Sequence, residues 1–295
     1  MKTNQLILIV IAFLFSANYA FAQQIIVKPT QSNLGGDLNH AFTVFIDEAT
    51  EKQVSKKWGS YTKKHKSKND SKGENIFSDN AYFSSITDDT LDIYAKVRKE
   101  GTGCEITVAF NLSGTYIGYE ALPDLSDDAS RVVYTFAYDL RKEIVKDQIK
   151  DAENEGKKRE KAYDVLVRKN SNLNKEIKKF EQKIKDNEKE LVGLEEEVQT
   201  AKELLENQEA VLATLSGSVE EKEARAEYKK RKSTHSSTVK KIERKKSEND
   251  KLRNNIKDNS RDIKQNVQDQ KKAQKKIKEQ EKVIKELEAK EKSIK

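Results

Sequence analysis

Apolar side chains recur every seven residues over the C-terminal half of the chain, and this spacing is typical of a coiled coil. A first heptad frame runs over residues 163–215 without a slip, and thirteen of its sixteen a and d positions are apolar or aromatic. The frame therefore predicts a long helix with one continuous apolar seam. The seam residues selected from it are Ile177, Ile184, Leu191, Leu194, Val198, Leu205 and Leu212.

A second, more polar frame covers residues 242–294, where nine of the sixteen a and d positions are apolar. The two frames are out of step by two residues, so we expect a break between them. Residues 216–218 (SGS) are the favoured turn, and residues 233–238 (STHSST) are the alternative. The seam residues selected from the second frame are Ile256, Ile263, Ile277, Ile284 and Leu287.

Charge favours a chain that folds back on itself at this turn. Residues 191–220 carry seven acidic and one basic side chain, whereas residues 221–245 carry ten basic and four acidic. Our preferred arrangement is an antiparallel helical hairpin, with one helix over residues 146–215 and a second over residues 219–295 that returns to the globular head. The alternative is a parallel dimer in which Asn170 and Asn187 would fix the register.

The N-terminal half shows patterns of strands and short helices. Alternating apolar residues predict strands over residues 91–98 and 104–112, a third strand follows from residues 40–47, and a weaker one from residues 76–86. Thr50 and Gln53 form a capping box, and Val54, Trp58 and Tyr61 then recur at helical spacing. A second helix is expected after Pro123. The prediction is an α+β head domain over residues 23–145, with the order β-α-β-β-β-α, followed by the coil.

The first residues have the features of a secretory signal peptide. Lys2 precedes ten apolar residues at 6–15, and Ala20 and Ala22 provide a small-x-small cleavage site, so residues 1–22 are expected to be removed. A retained anchor is disfavoured because ten residues are too few to span a bilayer. The prediction is a periplasmic or secreted protein with no integral membrane span after cleavage.

Composition excludes several classes of protein. Charged residues make up 36% of the chain and hydrophobic residues 35%, and there is one cysteine. A disulfide-stapled scaffold needs more cysteine and a polytopic membrane protein needs more apolar sequence. Residues 1–138 have a net charge of −2 and residues 139–295 a net charge of +9. A basic coil of this kind raises the question of an anionic partner.

Candidate chemistry is sparse. No motif indicates a catalytic, cofactor-binding or metal site, and we expect neither an enzyme nor a bound cofactor. Cys104 lies on the apolar face of a predicted strand, where a free thiol acts as a small hydrophobe. A dense basic segment follows the first helix and is either a solvated loop or a contact for an anionic partner. Its lysines are Lys63, Lys64, Lys66 and Lys68.

The segment AFTVFIDEATEKQVSKKWGSYTKKHK, together with DDTLDIYAKV, resembles uncharacterised exported proteins of Gram-negative bacteria that join a small α+β domain to a coiled coil. The coil is also similar to the helical hairpins of periplasmic murein-hydrolase activators. Those proteins normally end in a peptidoglycan-active domain, which this sequence lacks, so their activity is not carried over. The resemblance implies a compartment and no activity.

These patterns together predict an exported, non-enzymatic structural or interaction protein of the cell envelope. The coil would act as a spacer or docking arm. Its partner would be an envelope protein or, by self-association, another copy of the same chain. The alternative is a protein that binds anionic envelope polymers or nucleic acid through its basic coil, which would make binding strongly salt-sensitive.

Overall fold

The computed structural model describes residues 24–215, residue 217 and residues 219–295. The predicted signal peptide lies outside the described residues, as do two of the three residues of the favoured turn. The described chain is an α+β protein with an antiparallel sheet and two long helices. It divides into two compact units. We call the described residues up to Gly156, together with Gln280–Lys295, the head unit, and Lys157–Glu279 the coil unit.

Seven antiparallel strands form one sheet in the head unit. Their spatial order is β1-β2-β6-β5-β4-β3, and β7 pairs with β6. The strand bounds are β1 Val27–Leu34, β2 Asp37–Ile46, β3 Lys68–Lys72, β4 Asn75–Tyr82, β5 Thr90–Glu100, β6 Gly103–Leu112 and β7 Thr115–Tyr116.

Three helices complete the fold: α1 is Glu51–Lys64, α2 is Pro123–Thr214 and α3 is Glu221–Ser293. The capping box at the start of α1 is present as predicted, with Thr50 and Gln53 bonded reciprocally. The break between the two long helices falls between Thr214 and Glu221, around the favoured turn. The alternative turn at residues 233–238 is wrong, because that segment lies inside α3.

One face of the sheet, α1 and the first part of α2 share a single apolar core. Leu91, Ile93, Ala95 and Val97 alternate inward along β5, as their spacing predicts. Trp58 of α1 is fully buried, and its ring meets the ring of Phe136 on α2 edge to face at 4.8 Å. The helices therefore cover one side of the sheet.

Strands β1, β3 and β7 were not predicted, so the predicted order with four strands is incomplete. β1 carries Pro29 and β3 is wholly polar and exposed, and both lie at edges of the sheet. Edge strands tolerate proline and need few apolar residues, so the periodicity that reveals a buried strand is missing from them. β7 has only two residues.

Within the coil unit, α2 and α3 pair in antiparallel order. The Nζ of Lys183 lies 2.6 Å from a carboxylate oxygen of Glu248, and further back along α2 the hydroxyl of Tyr163 accepts a hydrogen bond from Gln274 at 2.9 Å. Earlier residues of α2 thus meet later residues of α3. This is the preferred hairpin, and the parallel dimer is not the observed arrangement.

The end of α3 packs within the head unit, as the preferred hairpin requires. The side chain of Gln280 donates to the carbonyl oxygen of Ala152 at 2.9 Å. The backbone N–H of Ile25, just before β1, donates to the carbonyl oxygen of Lys295 at 3.1 Å. The last turn of the chain is therefore bonded to the first described residues.

Candidate interaction surfaces

The predicted seam residues all lie on the inner side of the paired helices. Every a and d position of the two frames is buried or half-buried, whereas the positions between them are mostly exposed. Leu191 and Leu194 are buried in the coil unit, and Leu287 is buried in the head unit, where Ile284 is half-buried. The remaining selected residues are half-buried in the coil unit: Ile177, Ile184, Val198, Leu205, Leu212, Ile256, Ile263 and Ile277.

A buried polar pair interrupts this seam. Asn187 and Asn249 are 4% and 3% exposed, less than any leucine of the coil unit, and the Nδ2 of Asn187 donates to the Oδ1 of Asn249 at 2.8 Å. Lys245 donates to the Oδ1 of Asn187 at 3.1 Å. Any slip of one helix along the other would leave these amides unpaired among apolar side chains, so the pair favours one register.

A second polar layer lies seventeen residues away on each helix, at Asn170 and Asn266. Gln270 donates to the Oδ1 of Asn266 at 2.7 Å. The Oδ1 of Asn170 and the Nδ2 of Asn266 are buried without a hydrogen-bond partner among the described residues. The oxygen of Asn170 is an acceptor and the nitrogen of Asn266 is a donor, and both residues lie at the same level of the seam. Sequence reasoning identified Asn170 and Asn187 as register residues, although in the wrong arrangement.

Ion pairs flank the seam on two sides. On one side the e positions pair, since Glu195 meets Lys246 at 2.9 Å and Glu188 meets Arg253 at 3.0 Å. On the other side lies the pair Lys183–Glu248, which joins two g positions. Of the acidic stretch at residues 191–220, only Glu195 makes an ion pair across the helices in the described chain. Three of the others, Glu196, Glu203 and Glu206, are at b or f positions, which point away from the neighbouring helix.

The head unit contains a charged cluster that the sequence did not reveal. Glu48 accepts hydrogen bonds from Arg141 at 3.0 Å, from Gln148 at 2.9 Å and from Lys290 at 2.6 Å. Burial alone would raise the pKa of the Glu48 carboxyl, but the bonds from Lys290, Gln148 and Arg141 outweigh it and lower the pKa to about 2. The cluster joins the turn before α1 to both long helices inside the head unit.

Arg141 is the deepest member of this cluster, at 6% exposed. It also donates to the carbonyl oxygen of Asp47 at 2.7 Å and to the carboxylate of Asp47 at 3.0 Å. Glu48 itself has a φ of 58°, in the left-handed region that costs a non-glycine residue energy. The only signal in the sequence was a charged residue beside the apolar stripe of α2, which is too common to indicate a site.

The predicted basic segment lies at the end of α1 and the start of β3. All four lysines are exposed, and none pairs with a carboxylate among the described residues. Lys63 and Lys64 end α1, Lys68 begins β3, and the Nζ of Lys66 lies 5.3 Å from the ring centre of Tyr82. Between them, His65 stacks on Phe83 at 3.9 Å, so the segment is ordered against the core.

Among the described residues, the remaining candidates give no reactive site. Cys104 is buried and its thiol donates to the carbonyl oxygen of Ala49 at 3.2 Å, and burial, followed by the charge of Glu51, raises the pKa of the thiol. Within the described ranges, no group of histidine, cysteine and carboxylate side chains is arranged to hold a metal ion. Among the same residues, no helix is long and apolar enough to cross a bilayer.

Comparison with known proteins adds no relative: no protein-family model, curated protein or solved structure matches this chain. The suspected likeness to exported envelope proteins therefore stays a prediction. The paired helices and the charged surfaces are the features of this chain that bear on function.

Proposed function

We propose that this protein is an exported, non-enzymatic structural or interaction protein of the cell envelope, with the paired helices as its spacer or docking arm. The observation that carries the proposal is the seam of fixed register in the coil unit. The bonded pair Asn187–Asn249 ties the two helices in one alignment, which a spacer or docking arm needs and a flexible linker does not.

The outer surface of the coil suits contact with a partner. Its a and d positions are used within the pair, so the exposed side chains are mostly charged and hydrophilic. The α2 part of the coil unit, residues 157–214, would extend over about 85 Å at the rise of an α-helix. Such a rod presents a long surface on which residues at fixed spacing can be recognised.

The cellular location rests on the sequence alone. The basic residue, apolar run and cleavage pattern of residues 1–22 support export, and the single cysteine, which is buried, is compatible with an oxidising compartment. We infer periplasmic residence or release from the cell.

A crosslinked pull-down from intact envelopes tests the proposal. The bait is residues 23–295, and the matched control is the same chain with Leu191→Ala and Leu194→Ala, which weaken the seam in the coil unit only. We expect a discrete protein partner that survives about 1 M salt, where screening is nearly complete. The control bait should lose this partner while the fluorescence of Trp58 still reports a folded head. Equal capture by both baits would contradict the proposal.

A second candidate function has its own observation. Lys63, Lys64, Lys66 and Lys68 are exposed without carboxylate partners in the described chain, so they are free to bind an anionic polymer such as lipopolysaccharide or nucleic acid. Changing all four to glutamine leaves the seam intact. If this function is correct, the wild type should bind the polymer with a steep loss as salt rises, and the variant should bind less and show a shallower slope.

A further inference from the structure

One side of the coil unit carries two parallel strips of opposite charge. The ion pairs Glu195–Lys246 and Glu188–Arg253 identify this side as that of the e positions of both helices. The neighbouring b positions lie on the same side. Near the turn, α2 presents Glu206 and Glu209 here together with one lysine, Lys202, and α3 presents three lysines. We call this surface, comprising Glu206, Glu209, Lys222, Lys229 and Lys232, the charged side.

The charges of this surface are little used within the chain. All five side chains are exposed. Glu206 has one distant partner, Lys202 on its own helix at 3.9 Å, and Lys222, Lys229 and Lys232 pair with no carboxylate in the part of the chain described. An acidic strip and a basic strip therefore lie side by side with their charges facing solvent.

Such a surface is complementary to itself. If a second copy is related by a two-fold axis parallel to the helices, its acidic α2 lies over the basic α3 of the first copy, and the reverse holds at the same time. A two-fold axis perpendicular to the helices and lying in the surface would instead place α2 over α2 and α3 over α3, setting like charges together. Charge thus selects one orientation, with both turns pointing the same way.

We propose that the charged side is a self-association surface, and that its occupant is a second copy of this chain docked side by side. Single exposed ion pairs are weak, so the dimer depends on several acting together and dissociates when salt screens them. This proposal deepens the docking function by naming a partner.

Two charge-reversed variants and their mixture test the proposal by sedimentation velocity. The acid-reversed chain carries Glu206→Lys and Glu209→Lys, and the base-reversed chain carries Lys229→Glu and Lys232→Glu. We expect the wild type to dimerise at about 0.1 M salt and to dissociate at about 1 M, where the Debye length falls from about 10 Å to about 3 Å. Each variant alone should be monomeric, and the equimolar mixture should dimerise.

Two further chains separate docking from general effects of charge. Lys230→Glu with Lys241→Glu makes the same change on the same helix, at exposed c and g positions on the opposite side, and should keep the wild-type dimer. The chain with all four reversals carries lysine at the two changed positions of α2 and glutamate at the two changed positions of α3. Its strips are still complementary, so it should dimerise as the wild type does. Circular dichroism checks that each chain keeps its helices.

The proposal is overturned if the wild type is monomeric at low salt, if either reversed variant dimerises alone, or if the mixture fails to associate. These outcomes leave the docking function standing, since capture of an envelope partner is measured separately. Failure of that capture, conversely, leaves the self-association result unaffected, because the sedimentation experiment contains only this chain.

Discussion

The head unit and the coil unit are stabilised in different ways. In the head, large side chains such as Trp58, Phe42 and Phe110 are at most 1% exposed and belong to one apolar cluster. In the coil, the best-buried leucines are 7–9% exposed, and Asn187 and Asn249 are buried more deeply than they are. Burial of apolar area is the main source of stability in the head unit. In the coil unit, a narrow and partly polar seam specifies how the two helices align.

The two units are therefore sensitive to different substitutions. A core residue in the head contacts neighbours from a sheet and two helices, so its loss cannot be absorbed. A seam residue in the coil contacts one facing helix, and many equivalent layers along the seam also hold the two helices together. We therefore expect large effects of truncation in the head, and in the coil smaller effects that depend on position.

The strongest test of this contrast is Trp58→Ala. The side chain is fully buried and packs edge to face on Phe136, so truncation leaves a cavity in the head core. We expect the head to lose about 3–5 kcal/mol of unfolding free energy, while the coil unit keeps its helicity. Denaturant titration followed by near-ultraviolet circular dichroism reports on the head, and far-ultraviolet signal reports mainly on the helices.

Trp58→Phe is the matched control. The indole N–H of Trp58 has no hydrogen-bond partner in the part of the chain that the structure describes, so phenylalanine removes an unpaired donor while keeping most of the ring volume. Its cost should be clearly smaller than that of alanine. A cost equal to that of alanine would mean that ring volume is not what stabilises the core, and the contrast between the units would lose its basis.

Arg141→Ala should have the next largest effect. Arg141 is buried and bonded to both Asp47 and Glu48, so truncation removes the cation of Asp47 and one of the two cations of Glu48, both of them partly buried carboxylates. We expect a loss of about 3 kcal/mol in the head, since removing one partner of a buried ion pair costs roughly that much. Arg141→Met keeps the packing but not the charge, and should recover only part of the loss in the same titration.

In the coil, a matched pair of substitutions separates stability from register. Asn249→Leu leaves Asn187 buried beside an apolar side chain and should destabilise the coil by about 1–2 kcal/mol. Asn187→Leu with Asn249→Leu removes both amides and should restore or exceed the wild-type stability. Thermal unfolding followed by circular dichroism measures both.

The double variant should also lose its single register. Spin-label distances across the two helices would then broaden, because neighbouring heptad alignments become nearly equal in energy. An unchanged, narrow distance distribution would show that the ion pairs and the connecting turn are enough to align the helices. The conclusion that the buried amides align the coil, whereas burial of apolar area stabilises the head, would then be wrong.

Repetition explains which parts of the molecule could be predicted. The heptads repeat over many turns, so a few polar positions such as Asn170 do not hide the seam, and both helices could be placed from sequence. Strands β5 and β6 alternate cleanly and were found for the same reason. Edge strands β1 and β3 have no such periodicity, because one or both of their faces meet solvent.

The charged cluster could not be predicted, because its members are far apart in the chain. Glu48, Arg141 and Lys290 meet only once the hairpin returns α3 to the head unit. No local spacing encodes such a contact. The charge asymmetry near the turn is visible in the sequence and favours pairing within the hairpin. Among the described residues of the acidic stretch, however, Glu195 alone has an ion-pair partner across the helices.

The smallest predicted effect concerns acid, which acts on the head through Glu48. The pKa of its carboxyl is about 2 in the folded chain against 4.5 for an ordinary glutamate, so the ionised form stabilises the fold. This contribution is fully present above about pH 4.5 and is lost as the pH falls towards 2. Because the carboxylate is partly exposed, solvent screening reduces it to about 1–2 kcal/mol.

Glu48→Gln isolates that contribution, since other carboxylates also titrate in this range. Near neutral pH the variant should be less stable than the wild type, and the difference in unfolding free energy should shrink as the pH is lowered through the interval from 4.5 to 2. A difference that stays constant would mean that the bonds from Arg141, Gln148 and Lys290 do not depend on the charge of Glu48. The charge of Glu48 would then add nothing to the stability of the head, and the acid sensitivity of this unit would have to come from its other carboxylates.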